Sequence, residues 1–316
     1  PMAQPLRPEQ YQYDLDHALS AVVSLRSRIP EDALTAPLLG TERGGHGVVI
    51  RDSGVVLTIG YLITEAESIW LVDNNGVAVS GYPLAYDQET GLGLVQALQP
   101  LSVPAIALGS SAELRVGESV VVAGCGGRDR AVAALVEDKR EFAGYWEYLL
   151  EEAIFTTPPH PDWGGTALIA ADGTLRGIGS LFIQQAEPVT EDPGSNLMVP
   201  IDLLYPVFDE LRTYGRVQRP ARPWLGLLTT EVGEHLVVAS LVPGSPADRT
   251  SIRPGDVVLA VAGNPVRGLA GFLRSVWSLG EAGVEVPLLV YREGKQREVR
   301  IHSMDRYDCL KPPELH

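Results

Sequence analysis

Short apolar runs separated by turn residues dominate the chain between residues 44 and 180. The runs 47–50, 55–58 and 68–72 are four or five residues long and rich in β-branched side chains, which favours strands over helices. The segments 52–54 (Asp-Ser-Gly) and 74–76 (Asn-Asn-Gly) separate such runs and are typical of hairpin turns. Because many short strands follow one another closely, the pattern predicts an antiparallel sandwich or barrel.

Three other segments place their apolar residues at helical spacing. Residues 8–28 follow this spacing between Pro8, which suits a helix start, and Pro30, which stops a helix, so the sequence predicts one helix there. Residues 201–213 and 269–279 show the same spacing and predict two further helices.

A polar, Pro-containing stretch divides the chain into a larger and a smaller folded part. The smaller part contains two strand-like runs, 286–291 and 297–301, after its helix. The predicted organisation is an N-terminal helical segment at 1–40, a β-rich domain at 41–213, a linker at 214–223, a smaller unit at 224–304 and a tail at 305–316.

The charge balance narrows the classes of partner. With 25 Lys and Arg against 40 Asp and Glu, the chain carries a formal net charge of −15 over 316 residues. An acidic surface repels phosphate backbones and anionic lipid, so neither nucleic acid nor a membrane is expected as a partner. No apolar run is long enough to span a bilayer, and no secretory signal precedes the first strand. We therefore expect a cytoplasmic protein, or a periplasmic one if a signal was removed.

Cysteine and histidine content gives no sign of a metal or cofactor site. The two cysteines, Cys125 and Cys309, are too few for a disulfide framework or a zinc site. Cys125 lies in a Gly-rich turn and is interpreted as a small loop residue, with a reactive thiol as the alternative. No histidines pair at metal-ligand spacing, so we predict no metal and no cofactor.

The order of motifs between Gly45 and Ile301 resembles the HtrA/DegP family of serine proteases. The opening strands at 47–50 and 54–58, the turn 108–111 (Leu-Gly-Ser-Ser), the strand 116–124 and the segment 196–201 carry the resemblance. It implies a mostly β fold, with a chymotrypsin-like double β-barrel at 41–213 followed by one PDZ domain at 224–304.

The family's catalytic positions hold other residues in this chain. The His position carries Tyr61, the Asp position carries Gly91, and an ungapped match places Gly164 at the Ser position, or Trp163 if the match shifts by one residue. Asp162 replaces the family's Gly two places before the Ser, where a carboxylate would oppose a developing oxyanion. Since Ser needs an oriented His to take its proton, the resemblance predicts a protein inactive as a serine protease.

A rebuilt active site nearby is the alternative. His160, Asp162 and Thr166 lie close together in the nucleophile loop and offer a base, a carboxylate and a hydroxyl. The simpler interpretation is a polar loop made rigid by Pro158, Pro159 and Pro161.

The smaller unit resembles an HtrA-type PDZ domain, through the segments 224–227, 242–247, 252–258 and 261–266. The resemblance implies that a peptide C-terminus adds as a strand and that backbone N–H groups receive its carboxylate. Alternatively, the helix residues pack only the domain core, or the chain's own tail fills the groove. The predicted peptide-binding residues are Trp224, Leu225, Gly226 and Leu227 in the loop and Phe272, Leu273 and Val276 on the helix.

The preferred hypothesis is a pseudoprotease that acts as an adaptor, scaffold or chaperone-like subunit. It would bind partners through the PDZ groove and through the remaining cleft beside Trp163 and residues 196–199. The resemblance implies a homo-oligomer, a trimer in the family, formed through N-terminal segments that here contain Tyr11 and Tyr13. An active hydrolase with a rebuilt site and a dedicated subunit of a larger complex remain alternatives.

Overall fold

The protein is described by a computed structural model that covers residues 6–146, 148–184 and 194–313. These residues form two compact units. Residues 6–141, 151–184, 194–217 and 311–313 make up the first unit, and residues 142–146, 148–150 and 218–310 make up the second.

The first unit begins with a closed barrel of six antiparallel strands in the order β1-β2-β3-β6-β5-β4. The β-branched side chains of Val48, Val56 and Val95 on three neighbouring strands are 0% exposed. The strands are β1 (Val22–Arg28), β2 (Glu42–Arg51), β3 (Val55–Ile59), β4 (Ser68–Val72), β5 (Ala78–Tyr86) and β6 (Leu92–Ala97).

The predicted helix over residues 8–28 is wrong for most of its length. A 3₁₀ turn at Pro8–Gln10 and a short helix α1 (Leu15–Ser20) are followed directly by β1, which pairs with both β2 and β4 and closes the barrel. Asp14 starts α1 by accepting a hydrogen bond from His17 N at 3.0 Å. A second short helix, α2 (Ala36–Leu39), lies between β1 and β2.

A second closed six-stranded barrel completes the first unit's sheet structure, in the order β10-β11-β12-β9-β8-β7. Residues 201–213 are helical only in part, because a 3₁₀ turn at Ile201–Leu203 precedes α3 (Phe208–Tyr214). The strands are β7 (Ser119–Ala123), β8 (Ala131–Gly144), β9 (Tyr148–Thr157), β10 (Ala167–Ile169), β11 (Leu175–Ile183) and β12 (Ser195–Pro200).

The second unit is a sheet in the order β13-β14-β15-β17-β18, with β16 paired to β15. The helix α4 (Gly268–Trp277) buries Leu269, Phe272, Leu273 and Val276 in the core, which confirms the helix predicted at 269–279. The strands are β13 (Leu227–Val232), β14 (His235–Leu241), β15 (Val257–Val261), β16 (Asn264–Pro265), β17 (Glu285–Arg292) and β18 (Lys295–His302).

Candidate functional site

The structure brings the three positions Tyr61, Gly91 and Gly164 together. Tyr61 lies in a 3₁₀ turn, Gly60–Leu62, that follows β3 directly. The carbonyl oxygen of Gly91 accepts a hydrogen bond from Gly60 N at 2.7 Å, which places Gly91 beside this turn. A Cβ atom on Gly164 would lie 2.8 Å from the Tyr61 hydroxyl oxygen. The positions that the resemblance aligned with a triad are therefore neighbours.

The Tyr61 side chain fills the space at this junction. Its hydroxyl group donates a hydrogen bond of 2.8 Å to the carbonyl oxygen of Ser180, which lies on β11 of the other barrel. Burial raises the pKa of the Tyr61 phenol, so the hydroxyl remains protonated at neutral pH. Tyr61 therefore joins the two barrels as a neutral hydrogen-bond donor.

Backbone hydrogen bonds fix the loop that carries Gly164. His46 N donates to Gly164 O at 2.8 Å, and the Thr58 hydroxyl donates to His46 O at 2.7 Å. Gly165 N donates to Gly179 O at 2.8 Å. Gly165 has φ +78°, and a Cβ atom there would lie 1.9 Å from the His46 carbonyl oxygen, so only glycine fits. The loop is thus held by strands of both barrels.

The alternative site residues do not form a nucleophile and base pair. The Thr166 hydroxyl donates to the carbonyl oxygen of Trp163 at 2.9 Å, not to an imidazole. The Nδ1 atom of His160 accepts a hydrogen bond from Asp162 N at 3.0 Å, and its Nε2 atom contacts Arg130 O at 3.0 Å. The Asp162 carboxylate pairs with Arg130 at 3.0 Å on the surface. Both ring nitrogens of His160 are therefore occupied by the protein backbone.

His46 belongs to this junction, although the sequence pattern around it predicts no role. It lies on β2, it is 7% exposed, and its ring packs edge-on against His160 with ring centroids 6.0 Å apart. Burial, with a smaller contribution from His160, lowers the pKa of His46 to about 4. No local motif marks this residue, because its partner is distant in sequence.

One predicted part of the cleft is not a surface. Asn196 and the three residues after it are 0% exposed on β12, so they cannot contact a partner. Trp163 is 36% exposed and stacks on Phe182, with ring centroids 5.7 Å apart. This stacked aromatic pair is an exposed apolar feature beside Gly164.

No metal site is formed by the described residues, among which no group of three or more His, Cys, Asp or Glu side chains is arranged to hold an ion. The Cys125 thiol lies 3.2 Å from the Asn74 amide oxygen, and burial raises its pKa, which opposes formation of a thiolate. In the same residues, no helix has both the length and the hydropathy needed to cross a membrane.

The predicted peptide-binding side chains of the second unit lie mainly in its core. Leu225, Leu227, Phe272, Leu273 and Val276 are at most 2% exposed and belong to one apolar cluster. Their burial agrees with the alternative that they pack the domain core. A bound peptide would therefore contact the backbone and exposed side chains, not these five side chains.

The geometry of the loop before β13 suits a backbone-mediated site. Gly226 has φ +76°, and a Cβ atom there would lie 2.2 Å from Ser245 Cβ, so the loop requires glycine. Trp224 is 5% exposed and is anchored by a hydrogen bond from its N–H group to Met304 O at 3.0 Å. β13 is the terminal strand of its sheet, and Glu231 on this strand accepts a hydrogen bond of 2.7 Å from Leu269 N at the start of α4. A terminal strand flanked by a helix is the arrangement that accepts an added peptide strand.

Two family models match the chain. A trypsin-like peptidase domain matches residues 45–178, and a PDZ domain matches residues 223–302. A probable periplasmic serine endoprotease DegP-like from Hahella chejuensis is 26% identical over 273 residues, covering 81% of this chain and 56% of the relative. The putative protease Do-like 14 from Arabidopsis thaliana is 26% identical over 257 residues, covering 70% of this chain and 57% of the relative. The chain thus spans just over half the length of these curated relatives.

Solved structures confirm the fold. The HtrA-type protease AlgW with tripeptide has a TM-score of 0.53 at 21% identity, covering 95% of this chain and 97% of that structure. The serine endoprotease from Yersinia pestis has a TM-score of 0.51 at 22% identity, covering 95% and 98%. The chain is therefore mostly β, with a trypsin-like barrel domain and a PDZ domain, as in these HtrA-type structures.

Proposed function

We propose that this chain is an HtrA-like pseudoprotease, which binds other proteins without cleaving them. The observation that carries the proposal is the position of Tyr61, whose hydroxyl group fills the space beside Gly164 and is bonded to Ser180 O. A substrate carbonyl group and an attacking hydroxyl would both need that space.

The chemistry of the junction supports the same conclusion. Gly164 has no side chain to attack with, and a phenol with a raised pKa is a poor general base at neutral pH. The N–H group of Asp162 donates to His160, so it does not point toward a developing oxyanion. Loss of a whole triad lowers kcat by about six orders of magnitude in serine proteases. The relatives are named proteases, and this chain differs from that family's pattern at all three triad positions.

The alternative of an active hydrolase with a rebuilt site is not favoured. It requires the Thr166 hydroxyl to be activated by His160, but Thr166 donates to Trp163 O and is 0% exposed. Both nitrogens of His160 contact backbone groups, so neither is positioned to take a proton from a nucleophile.

Binding is proposed at the edge of β13. An extended peptide would add as a further strand beside β13, with its C-terminal carboxylate at the loop that contains Gly226. The Trp163–Phe182 pair is proposed as a second, apolar contact surface on the first unit. The partners are therefore proteins with an accessible C-terminus, and the roles that fit are adaptor, scaffold or chaperone-like subunit.

Assembly and location are proposed from the relatives and from the N-terminal segment. Tyr11 and Tyr13 contact each other, with ring centroids 5.6 Å apart, and line a pocket of about 660 Å³ against strands of the second barrel. We propose a homo-oligomer, with a trimer as the first form to test, built through this segment. The relative from Hahella chejuensis is named periplasmic, which does not support the cytoplasmic location expected from the sequence. We propose the periplasm instead.

Two assays test the absence of proteolysis. We expect the purified protein neither to degrade unfolded casein nor to react with a fluorophosphonate probe. The variant His160→Ala serves as the control for the rebuilt site, and the exposed His235→Ala is its matched control. Turnover or labelling that disappears in His160→Ala but persists in His235→Ala would overturn the pseudoprotease proposal.

Peptide binding needs a separate measurement. A library of C-terminal peptides, each made with a free carboxylate and as the C-terminal amide, would be titrated by fluorescence anisotropy. We expect binding only to the free-carboxylate forms, because an amide removes the charge that the loop receives. Equal affinity for both forms would refute the C-terminal mode, whatever the protease assays show.

A further inference from the structure

Two histidines are buried against each other behind the loop that carries Gly164. His46 on β2 is 7% exposed, and His160 at the start of this loop is 2% exposed. Their rings lie edge to face, with centroids 6.0 Å apart and an angle of 84° between the ring planes. A Cβ atom on Gly124 would lie 2.9 Å from the His46 ring and 3.1 Å from the His160 ring, so only a glycine leaves room for both.

Backbone N–H groups set the protonation state of both rings. Cys125 N donates to His46 Nδ1 at 3.1 Å, and Asp162 N donates to His160 Nδ1 at 3.0 Å. A ring nitrogen accepts such a bond only when it carries no proton, so each ring is neutral with its proton on Nε2. His160 Nε2 then donates to Arg130 O at 3.0 Å. Among the described residues, His46 Nε2 has no hydrogen-bond partner.

The charged groups that face the two histidines would do little to stabilise a protonated imidazole ring. Asp162 attracts it and Arg130 repels it, and these two side chains are paired with each other at 3.0 Å. A charge on His160 would also oppose a charge on His46, and the nearby Cys125 thiol is kept neutral by burial. Burial is the largest cause that lowers the pKa of both histidines.

We propose that His46 and His160 form an acid-sensitive clasp that closes two loops, 124–130 and 160–166, and opens both when the rings are protonated. Protonation at Nδ1 turns an acceptor into a donor that faces the N–H group of Cys125 or Asp162. Both bonds are then lost, and a buried charge without a partner favours solvent exposure. Opening frees the loop of Trp163 and Gly164 from its position beside Tyr61. The clasp therefore regulates the surface next to the junction, and it does not depend on whether the protein cleaves peptides.

The direction of the pH response follows from proton linkage. Because the folded pKa of His46 lies below the ordinary value, the closed form binds fewer protons than the open form, and closing is favoured at neutral pH and lost as the pH falls. Between an ordinary histidine pKa of about 6.5 and the folded value of about 4, the opening constant rises about tenfold per pH unit for this residue. The full rise is roughly 300-fold for His46 alone, and His160 adds to it.

Hydrogen–deuterium exchange of the full-length protein tests the clasp. Exchange would be measured at pH 7.5, 6.0 and 5.0 and corrected for the intrinsic pH dependence of amide exchange. We expect the corrected rates to rise toward acid pH in loops 124–130 and 160–166 and to stay constant in β3 and β6. Corrected rates in both loops that do not change between pH 7.5 and 5.0 would overturn the proposal.

A variant separates the clasp from general acid destabilisation. His46→Gln keeps an oxygen acceptor for Cys125 N but cannot be protonated, so its loops should respond less to acid, whereas the exposed His235→Gln should respond like the unmodified protein. An identical response in His46→Gln would contradict the role of His46. Exchange at histidine Cε1 in the unmodified chain, which reports the titration of each ring, gives a test without variants. Titration of His46 and His160 near the ordinary histidine pKa would refute the clasp even if the variants fail to fold.

Discussion

The hydrogen bond between Tyr61 and Ser180 makes a quantitative prediction about the stability of the first unit. Tyr61→Phe removes one hydroxyl group and leaves the aromatic ring in place. Ser180 is 1% exposed, so its carbonyl oxygen would lose the donor that lies 2.8 Å away. A net hydrogen bond stabilises a protein by about 0.5–1.5 kcal/mol, and an unsatisfied buried acceptor costs about 1–3 kcal/mol. We therefore expect the free energy of unfolding to fall by about 1–2 kcal/mol.

The two units require a measurement that resolves them. Pulsed hydrogen–deuterium exchange along a urea series reports the unfolding of each unit from its own peptides, so the midpoint of the first unit can be compared between variants. Tyr214→Phe is the matched control, because Tyr214 is in the same unit, is 62% exposed and should change stability by less than about 0.5 kcal/mol. Equal midpoints for Tyr61→Phe and Tyr214→Phe would show that the bond across the barrels is not made. In that case the Tyr61 hydroxyl would not fill the junction between the barrels.

Three further substitutions test local features by the same unfolding measurement. Gly165→Ala should destabilise the first unit by more than about 3 kcal/mol, since the new Cβ would lie 1.9 Å from a carbonyl oxygen. Gly127→Ala is the control, because Gly127 has φ +64° but open space around it, and it should cost only about 1–2 kcal/mol. Asp256→Asn should destabilise the second unit by about 3 kcal/mol, because the 0% exposed carboxylate is paired with Arg292. Burial raises the pKa of Asp256, but the hydrogen bonds and charge of Arg292 outweigh it and lower the pKa overall, so the contribution is fully present above an unfolded pKa of about 3.9 and is lost as the pH falls through the lower folded pKa. Glu65→Gln should cost about 1–3 kcal/mol, since the buried carboxylate accepts hydrogen bonds from three backbone N–H groups and one hydroxyl. A loss in Gly165→Ala no larger than in Gly127→Ala, or no loss in either carboxylate variant, would contradict these arguments.

The strands were predictable where local composition and pairing agree. The runs at 47–50 and 55–58 are β-branched, are joined by a tight turn, and form β2 and β3 as neighbours. β1 was not predictable in the same way, because Leu15, Leu19 and Val22 fall at helical spacing. Its strand conformation depends on pairing with β2 and β4, which lie later in the chain. Strand preference reflects such partners more than the residue itself.

The candidate site was predictable in position but not in its contacts. The family resemblance aligned Tyr61, Gly91 and Gly164 with the three triad positions, and in the structure both glycines lie beside the turn that carries Tyr61. Nothing in the sequence indicates that the Tyr61 hydroxyl reaches Ser180, because that contact depends on how two barrels meet. His46 was missed for the same reason, since its neighbour His160 lies on the other barrel.

Under the proposed function, the contacts at the junction take over the structural role that a catalytic triad has in an active protease. In a serine protease the imidazole links a hydroxyl on one side to a carboxylate on the other, so the triad itself holds neighbouring segments together. Here the Tyr61 hydroxyl and the bond from His46 N to Gly164 O make the connection between the barrels. Both hydrogen bonds hold the segments around Gly164 in one position, so the surface beside the junction is fixed. A fixed surface loses less conformational entropy when a partner binds, which favours the proposed binding role.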